Sequence, residues 1–331
     1  MSRTAVVILN WNGKSFLEKF LPALVAHTSL PDTALVVADN GSTDGSHEFL
    51  QTHYPQIRWI ALGQNYGFTG GYNRALQQVE ADYYVLLNSD VEVTDGWLQP
   101  LIAAMNANPD VAVCMPKIRS YDRRNCFEYA GAAGGFIDKY GFPFCRGRIL
   151  SRIEEDCGQY DAPQEVFWAS GACMAVRAEL YRRLGGFDED FFAHMEEIDF
   201  CWRAKQLGYR VMCCPQAVVY HVGGGTLPNH SPHKLYLNYR NSLYMLYKNL
   251  PDRTRRRTLF IRMLMDGLSA IIYGLQGKFS LFAAVWKAHR AFRKAKNRLR
   301  TKRPTAHNNA VSGIYNKSVV FAFFFGNSIT E

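Results

Sequence analysis

YYVLLNSD, residues 83–90, is an unbroken apolar run that stops abruptly at Asn88, Ser89 and Asp90. Apolar side chains at consecutive positions, rather than alternate ones, mark a strand buried on both faces. The pattern recurs outward along the chain. TAVVIL (4–9) runs into Asn10 and Asn12, ALVVAD (34–39) into Asp39 and Asn40, and IRWIAL (57–62) toward Asn65; VAVCM (111–115) is a fifth run. Between them, 15–27, a stretch from about Ser42 and 68–79 carry helical periodicity. Alternating buried strands and helices predict an α/β domain with a largely parallel sheet covered on both faces. Ligands bind such a sheet at the carboxyl ends of its strands. Polar clusters at four successive strand ends therefore predict one site.

Further along, 119–164 is rich in Gly, Arg and Asp and reads as long loops. EVFWASGACMAVR (165–177) resumes strand character, EEIDFCWRAKQLG (196–208) reads as a helix stopped by Gly208, and YRVMCC and AVVYHV read as two late strands. These predict a catalytic domain over 1–230, a helical segment mixing basic and apolar residues over 231–303, and a tail over 304–331.

The net charge of +9 is unevenly placed: residues 253–303 hold 15 Lys or Arg and one acid, Asp266. Leu, Phe, Ile and Trp interleave these cations, which suits an interfacial helix and not a nucleic-acid partner. Arg262, Asp266 and Lys278 break the segment before it reaches the ~18 uncharged apolar residues of a membrane span, so peripheral attachment is expected. The eight cysteines form no C-x-x-C pair, and the N-terminus has no signal-peptide pattern. The expected place is the cytoplasm, at the inner face of the cell membrane.

Three constellations carry chemistry. DNGSTDGS (39–46) sets Asp39 at a strand end before a Gly turn, where it can accept from a base or a ribose; Ser42 or Thr43 is the expected helix cap. NYGFTGGYN (65–73) places glycines at a helix start, where backbone can approach a diphosphate. HMEEIDF (194–200) packs three acids between apolar and aromatic flanks, and crowding there raises a carboxyl toward general-base use. His221, at the end of a strand and before a glycine run, can complete a metal shell with Asp90.

The order and spacing of VVILNWNG, DNGSTDGS, NYGFTGGYN, LLNSD, GGFDEDFF, EEIDFCWR and GYRV resemble the family 2 glycosyltransferases, in particular their rhamnosyltransferase-like branch, over roughly residues 4–250. The resemblance implies a GT-A fold (Rossmann-like), a dTDP- or UDP-linked sugar donor, Mg²⁺ or Mn²⁺, and inversion at the anomeric carbon. It implies that Asp39 binds the base and that Asn65, Gly71 and Asn73 form the donor loop; the strand-end pattern adds Asn10, Asn40 and Asn88 to the same donor site. Asp90 matches the last acid of the D-x-D metal motif, and His221 the late metal-site histidine. Two positions depart from the pattern: Asn88 stands where D-x-D has its first acid, and Glu197 stands where E-D-x-D has its second.

The expected reaction is transfer of a sugar such as rhamnose to a saccharide or lipid-linked saccharide in cell-surface polysaccharide synthesis. Glu197 is the expected base, flanked by Glu196 and Asp199, with Trp168, Ser170 and Gly171 at the acceptor cleft. The rival readings are a nucleotide-sugar-binding protein with impaired catalysis, and a hexosaminyl or galactofuranosyl transferase of the same fold.

Overall fold

The computed structural model describes residues 3–28, 30–223, 231–304 and 311–325. The chain opens with β1 (Thr4–Asn10), α1 (Lys14–His27), β2 (Thr33–Asp39), α2 (Ser46–His53), β3 (Arg58–Ala61), α3 (Gly67–Leu76) and β4 (Tyr83–Asn88). β3, β2, β1 and β4 lie side by side and parallel, in that order. Their apolar runs are buried as the sequence requires, and α1 covers them with Leu17, Phe20, Leu21 and Leu24, spaced three or four apart along one face. Pairing register fixes the site: Asn10 stands opposite Asp39, and Leu9 opposite Asn88, so the polar ends of three strands fall on one edge of the sheet.

The sheet continues through β5 (Val91–Val93), which precedes α4 (Gln99–Ala107), and through β6 (Val111–Ser120). Residues 119–164 are not the long loops expected. β6 extends to Ser120, and a second, small sheet follows, made of β7 (Gly135–Asp138), β8 (Pro143–Cys145), β9 (Arg148–Ile149) and β10 (Arg152–Ile153). Strands of two to four residues show too little periodicity to be read from sequence. β11 (Gln164–Val166) and β12 (Cys173–Arg177) return to the main sheet; β12 inserts antiparallel between β4 and β6, so the sheet is mixed with a parallel majority.

After α5 (Ala178–Arg183) and α6 (Glu196–Gln206), the two expected late strands are one strand, β13 (Arg210–His221). Its register shifts between Cys214 and Val218, around Pro215, which has no N–H to give the ladder. The break in the apolar pattern was a bulge and not an end. α2 also begins later than Ser42. Gly45 precedes it in the left-handed region, and Asp44 accepts from the Ser46 amide at 3.1 Å, while Ser42 turns toward Asn10.

Three long helices complete the chain: α7 (Pro232–Asn249), α8 (Asp252–Leu275) and α9 (Phe279–Thr301). Among the described residues, one helix, α8, is by length and composition long and apolar enough to cross a membrane, with Arg262 and Asp266 interrupting its apolar run as the sequence shows. Its two inner charges neutralise each other. Arg262 Nε is 2.9 Å from Asp266 Oδ1, both side chains are buried, and Arg262 also donates to the Gly141 carbonyl at 3.1 Å and lies over the Phe142 ring. That pair docks α8 onto the small sheet. The tail adds β14 (Ile314–Tyr315) beside β7, then α10 (Val319–Phe325), whose first amide donates to Asp138.

Candidate active site

The strand-end cluster is a latch. Asn10 Nδ2 donates to Asp39 Oδ1 at 3.2 Å and to Ser42 Oγ at 3.1 Å, while Asp39 Oδ2 accepts from the Ser42 amide at 2.9 Å. Asn10 is fully buried, and its Oδ1 is a buried acceptor with no partner. An unpaired acceptor at the carboxyl edge of a parallel sheet is the kind of atom a bound ligand satisfies.

Asn40 Nδ2 donates to Asn65 Oδ1 at 3.1 Å and to the Gly67 carbonyl at 3.0 Å, which ties the 65–73 loop to β2. Gly71 has a packing reason: a Cβ there would lie 2.8 Å from the Leu9 side chain. Asn73 is committed elsewhere. Its Nδ2 donates to the Phe187 carbonyl, and its Oδ1 accepts from the Phe187 amide and the Tyr181 hydroxyl, all within 2.8–2.9 Å. Asn73 thereby holds the 185–187 turn against the loop. Asn88 is half-buried at the sheet edge, its amide bonded to the Ala172 carbonyl.

Asp90 and His221 meet because β5 pairs with the end of β13, setting Val91 opposite His221. His221 Nε2 is 3.2 Å from Asp90 Oδ1, and its Nδ1 is 3.5 Å from Oε2 of Glu128. All three residues are buried. Burial opposes charge on the imidazole, but Glu128 and Asp90 outweigh it and push the His221 pKa up to about 10. Burial likewise opposes charge on Asp90, yet the bond from His221 holds that carboxyl below its ordinary range. The pocket thus favours a positive charge between its acids. Among the described residues no three His, Cys, Asp or Glu side chains converge as a complete metal shell. Two donors and an orienting acid do fit a divalent cation whose remaining ligands come from a diphosphate and water, since a metal-bound imidazole commonly gives its other N–H to a carboxylate. Glu128, in the stretch read as loop, had no sequence signal pointing to His221.

The three acids of α6 separate into different roles. Asp199 is fully buried and bound by Arg203 Nε at 2.9 Å, Lys248 Nζ at 2.9 Å and Asn249 Nδ2 at 2.8 Å. Burial opposes its charge, but Lys248 and Arg203 hold its carboxyl below the ordinary range, so it stands as an ion-paired carboxylate. Glu196 and Glu197 each carry a buried, unpartnered Oε2. Burial raises both carboxyls: Glu197 to about 7, and Glu196 well above the usual range with Glu197 adding to the effect.

The turn that presents these acids is strained. Phe192, His194 and Met195 all have positive φ, between 65° and 71°, a conformation costing a β-carbon residue roughly 1–2 kcal/mol each. α7 holds it: Asn241 Nδ2 donates to the carbonyls of Phe191, Ala193 and His194, and Arg240 donates to Asp190 and Phe191. Strain sustained by a dedicated clamp points to function. The acid pair and the metal pole share a neighbourhood, because Glu128 and Glu197 both act on the thiol of buried Cys145. Trp168 is engaged by the small sheet. It is buried against Gly135, where a Cβ would come within 2.1 Å of its ring, and it donates to the Phe136 carbonyl. Ser170 bonds the Ala130 carbonyl, and Gly171 packs near Phe68.

Comparison with known proteins agrees with this geometry. The pattern of the family "Glycosyl transferase family 2" matches residues 5–185, more than half of the chain. An N-acetylglucosaminyl-diphospho-decaprenol L-rhamnosyltransferase of Mycobacterium tuberculosis is 27% identical over 230 residues, covering 65% of this chain and 75% of that protein. Rhamnosyltransferase WbbL of Escherichia coli is 23% identical over 223 residues, covering 65% and 82%. A mannosyltransferase of Pyrobaculum calidifontis, solved with GDP-Man and Mn²⁺, superposes with a TM-score of 0.55 at 14% identity, covering 89% of this chain and 88% of that one. The fold is the GT-A fold, and the chain belongs to glycosyl transferase family 2.

Proposed function

We propose that this chain transfers a sugar, rhamnose foremost, from a dTDP- or UDP-linked donor to a lipid-linked saccharide, with inversion and with Glu197 as the base. The observation that carries this reading is the half-buried Glu197 carboxyl, its Oε2 buried and unpartnered, raised to about 7 at the head of a clamped, strained turn. A base poised near neutrality takes a hydroxyl proton efficiently. The acceptor O–H proton passes to Glu197, the freed oxygen forms its bond to the anomeric carbon, and the bond to the donor phosphate breaks with its electron pair leaving on the nucleotide diphosphate. Asn10, Asp39 and Asn40 are assigned to the nucleoside, and Asp90 and His221 to Mg²⁺ or Mn²⁺. A divalent cation there supplies charge neutralisation for the leaving diphosphate. The named activities of the mycobacterial and Escherichia coli relatives support the sugar and the acceptor class.

The same reading puts the chain peripherally at the inner face of the membrane, and α8 and α9 support the attachment. Phe260, Leu264, Leu268, Ile272 and Leu275 recur along one exposed stripe of α8, and Phe279, Phe282 and Trp286 continue it on α9. This apolar face lies beside a cationic end, the pattern of a helix resting in an interface. In this reading residues 1–230 form the catalytic unit and 231–303 the attaching one.

The deciding experiment is transfer from dTDP-rhamnose to a short-chain GlcNAc-diphosphoryl lipid with Mn²⁺, read by NMR for anomeric configuration. Glu197→Gln is expected to lower turnover by roughly 10²-fold or more while donor binding stays near normal. Full turnover in that variant removes Glu197 from the chemistry, and retained configuration removes the single displacement.

A further inference from the structure

α8 and α9 run antiparallel, so the basic start of α8 lies beside the basic end of α9. Between them is a cavity of about 620 Å³. Its apolar wall is Leu259, Phe260 and Met263, and its cations include Arg256, Lys296 and Arg300. Those three are exposed and have no ion pair among the described residues. The acid in the lining, Asp252, is held by Arg255 and Arg303 at the rim, with Arg303 Nη2 at 2.8 Å. The lining therefore carries five cations to one acid, and three of those cations stand without an acid partner against an apolar wall. It is continuous with the exposed stripe: Arg256 and Phe260 stand one turn apart, Phe260 lines the cavity while 65% exposed, and Leu264 and Leu268 extend the same row.

We propose that this cavity holds the phosphate headgroup of an anionic membrane phospholipid, with the glycerol and first acyl carbons lying along Phe260 and Met263. The charge calls for an anion, and the adjoining apolar row calls for an amphiphile. A soluble phosphate compound would leave Phe260 and the row beyond it uncovered. The site is separate from the Asp90–His221 pole, which belongs to the donor. The inference rests on the interfacial reading of α8 and α9 but goes further, since general attachment needs only diffuse charge, whereas this assigns one headgroup pocket.

The test uses the full chain and a variant carrying Arg256→Gln, Lys296→Gln and Arg300→Gln, all exposed positions where the fold tolerates the change. Monomeric dihexanoyl phosphatidylglycerol is expected to raise the melting temperature of the full chain in a saturable way, and the variant is expected to lose that rise. Dihexanoyl phosphatidylcholine and inorganic phosphate at equal concentration are expected to give none. On phosphatidylglycerol vesicles the variant should bind about 10²-fold more weakly, as expected for three cations near an anionic leaflet. An equal rise with inorganic phosphate would make this an ion site and overturn the lipid assignment. If both proteins float equally on phosphatidylglycerol vesicles, the pocket is wrong while the interfacial reading stands. If the full chain floats on no vesicle, the interfacial reading itself fails.

Discussion

Glu128 Oε2 lies 3.5 Å from His221 Nδ1, while Asp90 Oδ1 faces the other nitrogen of the same ring. His221 Nδ1 makes no hydrogen bond in this geometry, so Glu128 stands beside it as an acid poised to orient the ring once a cation takes the other nitrogen. Glu128→Gln is therefore expected to weaken Mn²⁺ affinity by about 10- to 100-fold. Electron paramagnetic resonance of free Mn²⁺ in a titration of the protein with nucleoside diphosphate reads this directly. Unchanged affinity would mean that Glu128 merely packs against the ring.

The raised Glu197 carboxyl ties activity and stability to pH in opposite directions. Glu196 beside it, Cys201 on the same helix and Cys145 from the small sheet are the titratable groups coupled to it. As a base it works when deprotonated, so kcat/KM should rise with pH and level off above about 7. In the unfolded chain the same carboxyl titrates near 4.5, so between that value and about 7 the folded state binds more protons. The stability contributed by its neutral form is full below the unfolded value and is lost as pH rises through the folded one. A pH–rate profile and a melting profile over the same buffers check both slopes. A rate that is flat across neutrality would count against Glu197.

Asp199 should fail differently from Glu197. Asp199→Asn leaves Lys248 and Arg203 buried with less countercharge, a loss on the order of 3 kcal/mol. Lys248 also reaches Asp188 at 2.6 Å, and Asp188 in turn binds Lys302 of the C-terminal region, so the loosening should spread to the 188–192 loop. Chemical denaturation of Asp199→Asn beside Glu197→Gln separates the two. A stable, folded and inactive Asp199→Asn would move the base assignment to Asp199.

The exposed stripe on α8 should govern membrane association without governing the fold. Leu264 and Leu268 are 58% and 60% exposed, so charge there meets solvent and not the core. Leu264→Glu with Leu268→Glu is expected to abolish flotation with liposomes while the melting temperature stays within the small range typical of surface substitutions. A large drop in melting temperature would show that a protein surface covers the stripe.

The local pattern carried a large part of this protein. The alternation of buried strands and helices, the polar ends of β1, β2 and β4, and the Arg262–Asp266 pair one turn apart are all encoded within a few residues of one another. Strand and helix periods are properties of adjacent positions, which is why they can be read before the chain is folded. A span of 331 residues also had enough apolar content for one large core.

Tertiary structure alone decided what the acids do. Glu196, Glu197 and Asp199 look alike in sequence, but Lys248 arrives from α7 to neutralise Asp199, with Asn249 donating beside it, while Glu196 and Glu197 each keep an unpartnered Oε2. Glu128 reaches His221 only because β6 and β13 run side by side, and Asn73 is drawn to Phe187 by the fold of the 185–187 turn. The bulge at Pro215 and the small sheet closed by β14 likewise depend on strands far apart in the chain. The pKa of a carboxyl is set by burial and by the charges within a few ångströms of it, and chain crossings choose those charges.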